Sequence, residues 1–245
     1  MEKKVALVTG ASRGIGKSIA IDLAKNNFIV VINYNQNEEL AKQVLEEVNL
    51  YSEGYIIKAD VSNINDITNM YNLIREKYNG LDVLVNNAGA IIRPADWQEI
   101  SEENWQKTLD INLKSVFDCT KMFSELLKKS MAGRIINISS TVGISSAPPV
   151  IAYSVAKSGV NALTNAFAKA LAPNITVNAI APGNIDTDMT QGAGEGLINW
   201  VIDNTPMKRL GKPEEIAYLV SFLASEKASF ITGQIIEVAG GYDLR

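Results

Sequence analysis

Residues 5–16 read Val-Ala-Leu-Val-Thr-Gly-Ala-Ser-Arg-Gly-Ile-Gly, and this stretch decides the fold class. Val5 to Val8 form a short apolar run of the kind found in buried strands. The glycine-rich stretch Thr9 to Gly16 follows, and an amphipathic segment from Lys17 to Asn26 comes next. A strand, a glycine turn and a helix in this order predict a dinucleotide-binding unit.

The three glycines of the turn have separate predicted roles. Gly10 permits the tight turn, Gly14 lets the backbone approach a pyrophosphate, and Gly16 lets the helix pack closely on the sheet. The helix N-terminus then offers free N–H groups and the positive end of its dipole to the phosphates. The spacing is Gly-x-x-x-Gly-x-Gly, and such glycines also occur in plain turns, so the prediction depends on their place between strand and helix.

The rest of the chain alternates between strand-like and helical patterns. Further strands are predicted at Phe28–Asn33, Tyr55–Lys58, Val83–Asn86, Arg134–Ser139, Thr176–Ala181 and Ile235–Val238. Helices are predicted at Glu38–Leu50, Asn65–Lys77, Glu102–Lys129, Ile151–Leu171 and Pro213–Leu223. Such alternation predicts an α/β fold with a parallel sheet and helices on both faces. Ligands of these sheets bind beyond the carboxyl ends of the strands.

Composition excludes several classes of function. The 245 residues are 47% apolar and suit one domain with a seven-stranded sheet. A net charge of −4 argues against a nucleic-acid partner. The chain has no histidine and one cysteine, Cys119, so histidine triads, most zinc sites and an internal disulfide are excluded, and a cytoplasmic location is expected. No signal peptide or membrane span is predicted from Met1–Lys4 or any later run.

Tyr153 and Lys157 are four residues apart and share one face if their segment is helical. A free tyrosine has a pKa near 10, and lowering it by three units takes roughly 4 kcal/mol. One cation about 4 Å away supplies roughly that much at an effective dielectric constant of 20. The pair is therefore a candidate tuned proton donor, although an arbitrary Tyr-x-x-x-Lys is more often an exposed helix face.

At this point the chain resembles the short-chain dehydrogenase/reductase family, in its compact single-domain branch, and most of all the 3-oxoacyl-(acyl-carrier-protein) reductases. The matching segments are Thr9–Gly16, Asp60-Val61, Asn86–Gly89, Asn112, Ser139-Ser140, Tyr153-x-x-x-Lys157, Pro182–Ile185 with Thr187, and Thr232-Gly233. The resemblance implies a three-layer, doubly wound Rossmann fold over residues 1–245. It also implies a substrate loop or lid at about 184–210 and a homotetramer.

The family's catalytic tetrad corresponds to Asn112, Ser140, Tyr153 and Lys157. By resemblance, a nicotinamide cofactor delivers hydride to a carbonyl carbon, Tyr153 protonates the oxygen and Ser140 hydrogen-bonds it. Lys157 lowers the pKa of Tyr153 and holds the nicotinamide ribose. Asn112 positions a water, or else it is a buried residue that satisfies helix backbone. Ser139 is the runner-up to Ser140 and is expected to be structural.

The cofactor is expected to be NADP(H), with NAD(H) as the alternative. The second strand ends Ile32-Asn-Tyr-Asn35 without the acidic residue of NAD sites, and Arg13 could pair with a 2′-phosphate. Glu38 is the residue that keeps NAD(H) open. By resemblance, the cofactor-binding residues are Gly10, Ser12, Arg13, Gly14, Ile15, Gly16, Asn33, Asp60, Val61, Asn87, Ala88, Gly89, Tyr153, Lys157, Pro182, Gly183, Ile185 and Thr187. Asp60 is also compatible with a turn before a helix that starts near Ser62-Asn63.

The predicted function is NADPH-dependent reduction of a 3-oxoacyl thioester or a related ketone. The alternatives are an alcohol, sugar or polyol dehydrogenase with the same tetrad and, in another class, a non-catalytic NADP(H)-binding regulator. Trp97, Ile144, Pro148, Pro149 and Trp200 are expected near the pocket, or else they pack loops or subunit contacts.

An acyl carrier protein is a candidate partner. Such carriers are acidic, so their reductases should present a basic patch, for which Lys128, Lys129 and Arg134 are candidates. Ala172-Pro-Asn174 lacks a basic residue often found there, which weakens the assignment. The small residues Ala156, Ser158, Gly159 and Ala162 suit either subunit contacts or packing within one chain.

Overall fold

Seven short apolar runs form the strands of one sheet. The computed structural model describes residues 3–92, 96–192 and 194–242. The strands are β1 Val5–Val8, β2 Ile29–Tyr34, β3 Gly54–Lys58, β4 Val83–Asn86, β5 Gly133–Ile138, β6 Ile175–Pro182 and β7 Ile235–Val238. All are parallel, in the order β3-β2-β1-β4-β5-β6-β7. The predicted seven-stranded parallel sheet is confirmed.

Ten helices connect or flank these strands in the described ranges. They are α1 Gly14–Lys25, α2 Glu38–Asn49, α3 Ile64–Tyr78, α4 Glu102–Leu109, α5 Ser115–Leu127, α6 Val142–Ser145, α7 Ile151–Leu171, α8 Asp188–Gln191, α9 Glu195–Asn204 and α10 Pro213–Ala224. One buried apolar cluster joins α1, α2 and α10 to one face of the sheet. A second cluster joins α3, α5 and α7 to the other face. The protein therefore has the three predicted layers.

Most predicted boundaries agree with the structure to within one residue, but two helices differ. Helix α1 begins at Gly14 instead of Lys17, so Gly14 and Gly16 lie in its first turn. The predicted helix Glu102–Lys129 is wrong as one regular helix, because a π turn at Asp110–Lys114 separates α4 from α5.

The direction of the chain across the sheet reverses between β1 and β4. The chain runs from β1 outward to β3, then returns to β4 on the other side of β1. At this reversal the loops after β1 and β4 are joined, because the Thr9 hydroxyl accepts hydrogen bonds from the N–H groups of Asn87 (2.9 Å) and Ala88 (3.0 Å). A crevice at such a point is where open α/β sheets bind their ligands.

The segment 184–210, predicted as a lid, contains α8 and α9 and no strand in its described residues. The amphipathic piece Leu197–Asp203 lies within α9. Residue 193 of this segment, like residues 1–2, 93–95 and 243–245 of the predicted domain, lies outside the described part of the chain. Among the residues that are described, no helix has both the length and the apolarity needed to cross a bilayer.

Candidate active site

A cleft of about 1080 Å³ opens at the carboxyl edge of the sheet. Its wall comes from the glycine turn and the start of α1, the β2–α2 connection, the loop after β4, the end of β5, Tyr153 of α7, and the segment after β6. Of the predicted site residues, the cleft is lined by Gly10, Ser12, Arg13, Gly14, Ile15, Gly16, Asn87, Ala88, Gly89, Ser140, Tyr153, Pro182, Gly183, Ile185 and Thr187.

The glycine turn is shaped by its neighbours. Gly10 has a φ of +62°, and a Cβ atom there would lie 2.9 Å from the Cα atom of Ala88. A Cβ atom on Gly16 would lie 2.5 Å from the Gly10 carbonyl oxygen and from Asn87 Nδ2. Glycine is therefore required at both positions, and the first turn of α1 lies directly against the loops after β1 and β4. This arrangement leaves the N-terminal N–H groups of α1 facing the cleft, where they suit an anion.

Four predicted cofactor residues, Asn33, Asp60, Val61 and Lys157, lie outside the lining of the cleft. Asn33 is buried beneath the glycine turn, where its Oδ1 accepts from the Gly10 N–H (3.1 Å) and its Nδ2 donates to the Ala59 carbonyl (3.0 Å). Val61 is buried. Asp60 accepts hydrogen bonds from the N–H (2.9 Å) and hydroxyl (2.6 Å) of Ser62. These contacts match the alternative role of Asp60 as a turn residue before α3.

Lys157 is buried behind the cleft, close to the ring of Tyr153. Its Nζ donates to the Ile138 carbonyl oxygen at 2.8 Å and lies 5.5 Å from the centre of the Tyr153 ring. Burial lowers the pKa of Lys157 to about 8, because a charged amine is poorly solvated there. Lys157 therefore keeps its charge at neutral pH, so the cation lies beside the phenol as the spacing predicted.

The two neighbouring serines face different surroundings. Ser140 lines the cleft, and its Oγ accepts from the Val142 N–H at 3.4 Å. Ser139 also borders the cleft, but it is buried and its hydroxyl donates to Oδ1 of Asn161 in α7 at 2.7 Å. Ser140 is thus placed to touch a substrate, whereas Ser139 connects β5 to α7.

Asn112 is fully buried in the π turn, and its amide is engaged with backbone. Its Nδ2 donates to the carbonyls of Ala90 (2.8 Å) and Thr108 (2.9 Å), and its Oδ1 accepts from the Ala90 N–H (3.2 Å). A Cβ atom on Gly89 would lie 2.7 Å from Asn112 Oδ1 and 3.6 Å from Lys157 Nζ. Asn112 and Lys157 therefore flank Gly89. The contacts of Asn112 match its backbone-satisfying interpretation, and the water relay stays a prediction.

The charged groups near the β2–α2 connection have both signs. The Arg13 side chain is 69% exposed, and its Nη1 lies 4.0 Å from Asp188 Oδ2. Glu38 lines the cleft but pairs with Lys42 at 3.0 Å, and this hydrogen-bonded ammonium lowers the pKa of Glu38. The guanidinium of Arg13 is thus accessible to an added anion, and the carboxylate of Glu38 already has a cation.

Sequence reasoning missed part of the cleft and misplaced other residues. The missed lining residues lie next to or near predicted ones along the chain: Asn35, Gln36, Asn37, Glu39, Ala90, Ile91, Ile111, Ile138, Thr141, Asn184, Asp188, Met189 and Thr190. Their only signal was this adjacency. None of the five predicted pocket residues Trp97, Ile144, Pro148, Pro149 and Trp200 lines the cleft. Trp200 instead packs edge-on against Tyr242, with ring centres 6.4 Å apart.

The basic residues considered for an acidic partner do not form one surface patch. Arg134 is only 4% exposed, and its Nη1 donates to the Gly133 carbonyl at 3.1 Å. It is the second residue of β5, at the amino edge of the sheet, which lies opposite the cleft. Lys128 and Lys129 are exposed just before it. The interpretation of Arg134 as a surface charge is therefore wrong.

Other side chains that the sequence singled out pack within the chain. Cys119 is buried, and burial raises the pKa of its thiol to about 12, so it is a core residue. Ala156 is fully buried, and a Cβ atom on Gly159 would meet Leu113 at 2.8 Å. Ala162 is exposed on α7. In the described ranges, no group of three or more acidic or cysteine side chains could hold a metal ion.

Comparison with known proteins gives consistent similarities over the whole chain. A family model described as "Enoyl-(Acyl carrier protein) reductase" matches residues 10–243. A 3-oxoacyl-(acyl-carrier-protein) reductase of Staphylococcus epidermidis is 41% identical over 97% of this chain and 98% of its own length. A protein of the same name from Synechocystis is 43% identical over 97% of this chain and 96% of its own length.

A solved structure has the same architecture. A double mutant of a Serratia marcescens short-chain dehydrogenase/reductase superposes with a TM-score of 0.92 at 33% identity, and it covers 98% of this chain and 97% of its own. The sequence similarity and the shared fold therefore both extend over nearly the full length of the chain.

Proposed function

The chain belongs to the short-chain dehydrogenase/reductase family and is an NAD(P)-dependent oxidoreductase of ketone and alcohol groups, and we propose that it is an NADPH-dependent reductase of 3-oxoacyl thioesters. The observation that carries the chemistry is the buried Lys157 ammonium 5.5 Å from the Tyr153 ring, at a cleft that Ser140 also lines. The substrate class is supported by the names of the relatives, which are 41–43% identical over 97% of the chain.

The residues of the cleft fit a nicotinamide dinucleotide. Its volume of about 1080 Å³, the glycine positions without room for a Cβ atom and the first turn of α1 suit a pyrophosphate and its two nucleosides. We propose that residues 10–16 and the loop after β4 hold the cofactor, together with Tyr153, Lys157 and the segment Pro182–Thr187. The bound cofactor supplies the hydride.

In the proposed reaction, Ser140 and Tyr153 hold the carbonyl oxygen of the substrate from two sides. Charge develops on this oxygen as its carbon is reduced, and the Tyr153 hydroxyl gives it a proton. The Lys157 ammonium stabilises the resulting phenolate, since opposite charges in a buried site attract strongly. Lys157 then passes a proton to the Tyr153 phenolate, and a water held by Asn112 relays a proton to restore the Lys157 ammonium.

NADP(H) is the proposed form of the cofactor. Asn35, Gln36 and Asn37 at the end of β2 are neutral, and the largely exposed Arg13 offers a charge-assisted hydrogen bond to a 2′-phosphate. Glu38, the residue that favoured NAD(H), is paired with Lys42.

A 3-oxoacyl thioester of an acyl carrier protein is the proposed natural substrate, because the names of both relatives described above include that carrier protein. We also propose a cytoplasmic homotetramer.

The test is NADPH oxidation by the purified protein with acetoacetyl-acyl-carrier-protein and acetoacetyl-CoA. Small ketones, diketones, sugars and the enoyl thioester crotonyl-CoA run alongside, each also with NADH. Fast NADPH-dependent turnover of the 3-oxoacyl thioesters alone is expected. Turnover of another carbonyl would contradict the substrate class, reduction of crotonyl-CoA alone would contradict carbonyl reduction, and binding of NADPH without any turnover would favour the regulator.

A further inference from the structure

We propose that Asn161, acting through Ser139, is a positioning residue that fixes the loop carrying Ser140 against α7 and so sets the distance between the Ser140 and Tyr153 hydroxyls. The inference rests on the proposed function, because this distance matters only if both hydroxyls contact the same carbonyl oxygen.

The chain itself does not fix that distance. Ser140 follows β5, whereas Tyr153 lies in the first turn of α7, thirteen positions later. Helix α6 and the turn Pro148–Val150 lie between them. A small shift of one element relative to the other would move one hydroxyl out of hydrogen-bonding range of a shared oxygen. Contacts between the Ser140 loop (Ser139–Gly143) and α7 must therefore hold the two groups in register.

The Asn161 side chain contacts the Ser140 loop on both sides of Ser140. Its Oδ1 accepts the Ser139 hydroxyl at 2.7 Å, and its Nδ2 donates to the Gly143 carbonyl at 3.1 Å. The Ser139 hydroxyl also lies 3.3 Å from the Lys157 carbonyl oxygen. One amide thus holds the residue before Ser140 and the residue three positions after it to the helix that carries Tyr153 and Lys157.

The packing around Gly143 leaves little freedom to this arrangement. A Cβ atom on Gly143 would lie 2.8 Å from the backbone carbon of Lys157. The Gly143 carbonyl also accepts from the Ser158 hydroxyl at 2.9 Å. The loop and α7 are therefore in backbone contact at Gly143, and the Asn161 amide extends this contact to Ser139, on the other side of Ser140.

Helix α7 is also joined to the sheet by a hydrogen bond that involves neither Asn161 nor the Ser140 loop. It lies one turn later, where the Thr164 hydroxyl accepts from Asn137 Nδ2 at 2.9 Å. Asn137 belongs to β5 and is bonded in turn to Asn86 of β4 at 2.8 Å. Thr164 therefore offers a matched control, because its buried hydrogen bond on the same helix does not reach the Ser140 loop.

The test compares Asn161→Leu, Ser139→Ala, their double variant and Thr164→Val. We expect kcat to fall about 10- to 100-fold in both single variants, with cofactor Kd and substrate KM within about threefold, because a displacement of about 1 Å costs on that order. The double variant should lose no more than the worse single variant, since the two residues act as one unit. Thr164→Val should melt at a lower temperature and keep its kcat.

Amide hydrogen exchange of residues 140–145 supplies a readout that does not depend on turnover. Exchange there should be faster in Asn161→Leu and Ser139→Ala and unchanged in Thr164→Val. Wild-type kcat in Asn161→Leu, an equal loss of kcat in Thr164→Val, or unchanged exchange would each overturn the proposal. If the wild-type protein reduces no carbonyl, the proposed function fails, and the exchange data still decide whether Asn161 holds the loop.

Discussion

At the level of single residues, the proposed mechanism depends on the charge of Lys157. Its amine is buried, hydrogen-bonded to the Ile138 carbonyl and close to the Tyr153 ring. Burial lowers its pKa from 10.5 to about 8. The ammonium that assists Tyr153 is therefore present below about pH 8 and lost above it.

The charge state of Lys157 predicts how the rate of carbonyl reduction depends on pH. We expect kcat/KM for carbonyl reduction, at saturating NADPH, to fall as pH rises through about 8, because neutral Lys157 no longer stabilises the phenolate. The pKa observed in this profile is a property of the coupled Tyr153–Lys157 pair and not of either residue alone. Initial rates between pH 6 and pH 10 in buffers of constant ionic strength measure it, with cofactor Kd followed in parallel. A flat profile up to about pH 9.5 would contradict the role given to the amine.

The same pKa shift gives folding stability the opposite pH dependence, so that stability increases as pH rises. Because its pKa is lower in the folded state than in the unfolded chain, the unfolded state binds more protons between about pH 8 and 10.5. This residue's contribution to the free energy of unfolding therefore increases with pH across that window. At neutral pH the site therefore keeps Lys157 charged, although burying this charge lowers the free energy of unfolding.

Arg13 is the residue proposed to select NADP(H). We expect Arg13→Ala to weaken NADPH binding by about 10- to 100-fold and NADH binding by less than about twofold, since a charge-assisted hydrogen bond is worth about 1.5–3 kcal/mol. Fluorescence titration of both cofactors measures the two Kd values.

Lys17→Ala is the matched control for Arg13→Ala. Lys17 also lies in the first turns of α1, but it pairs with Glu47 at 2.7 Å and does not line the cleft. It should leave both Kd values nearly unchanged. Equal losses of NADPH and NADH affinity in Arg13→Ala would refute the contact with the 2′-phosphate.

At the scale of elements, the first turn of α1 must lie against the loops after β1 and β4. We expect Gly16→Ala to lower the melting temperature and to weaken cofactor binding at least about tenfold, because its Cβ atom would meet the Gly10 carbonyl and Asn87 Nδ2 at 2.5 Å. Thermal unfolding and cofactor titration measure the two effects.

Gly196→Ala is a control for the effect on stability. Gly196 also lies in the first turn of a helix, α9, and a Cβ atom there meets nothing within 4 Å. Alanine should raise helix stability there by up to about 1 kcal/mol. A melting temperature of Gly16→Ala equal to that of wild type would show that α1 can move away from these loops.

The elements also show what the sequence can predict. Helix α7 was predicted with its observed limits, Ile151–Leu171, because apolar periodicity fills the span between Pro149 and Pro173. The π turn at Asp110–Lys114 was missed, since it accompanies hydrogen bonds from Asn112 to Ala90, 22 residues away. Local patterns therefore predicted the elements, whereas a contact between distant segments decided how one of them deviates.

The same distinction applies to the site. The glycine turn and Ser140 follow from short motifs at strand ends, and Tyr153 and Lys157 follow from a four-residue spacing on a helix. The structure brings them to one cleft or directly behind it. Asn33 was expected at the cofactor, but it lies under the turn, where the residue after β3, Ala59, offers it a carbonyl. The burial of Arg134 was likewise hidden, because its neighbours include the Ser225 carbonyl, 91 residues away in the chain, to which its Nη2 donates. The partners of a polar side chain are set by tertiary packing, which a linear motif does not contain.

At the scale of the whole molecule, the proposed homotetramer needs exposed apolar surface on its long helices. Phe117 on α5 is 42% exposed and stacks on Phe167 of α7, with ring centres 5.9 Å apart. Val155 on α7 is 45% exposed. We therefore expect light scattering to give a mass about four times the 26.6 kDa of one chain.

Phe117→Glu should reduce that mass, because a carboxylate in a buried contact between subunits lacks a partner. Leu50→Glu is the control, since Leu50 is 76% exposed at the end of α2 and away from these helices. A monomeric wild-type protein, or a tetramer unaffected by Phe117→Glu, would contradict this use of the α5 and α7 surface.

The central claim is that Tyr153 donates the proton in carbonyl reduction. The most direct test is NADPH oxidation with acetoacetyl-CoA by wild type and Tyr153→Phe, with NADPH Kd measured for both. We expect kcat of the variant to fall at least about 10²-fold, because general acid catalysis contributes about 10²- to 10⁴-fold. The Kd for NADPH should stay within about threefold of wild type. A variant that turns over within about fivefold of an active wild type would contradict the mechanism.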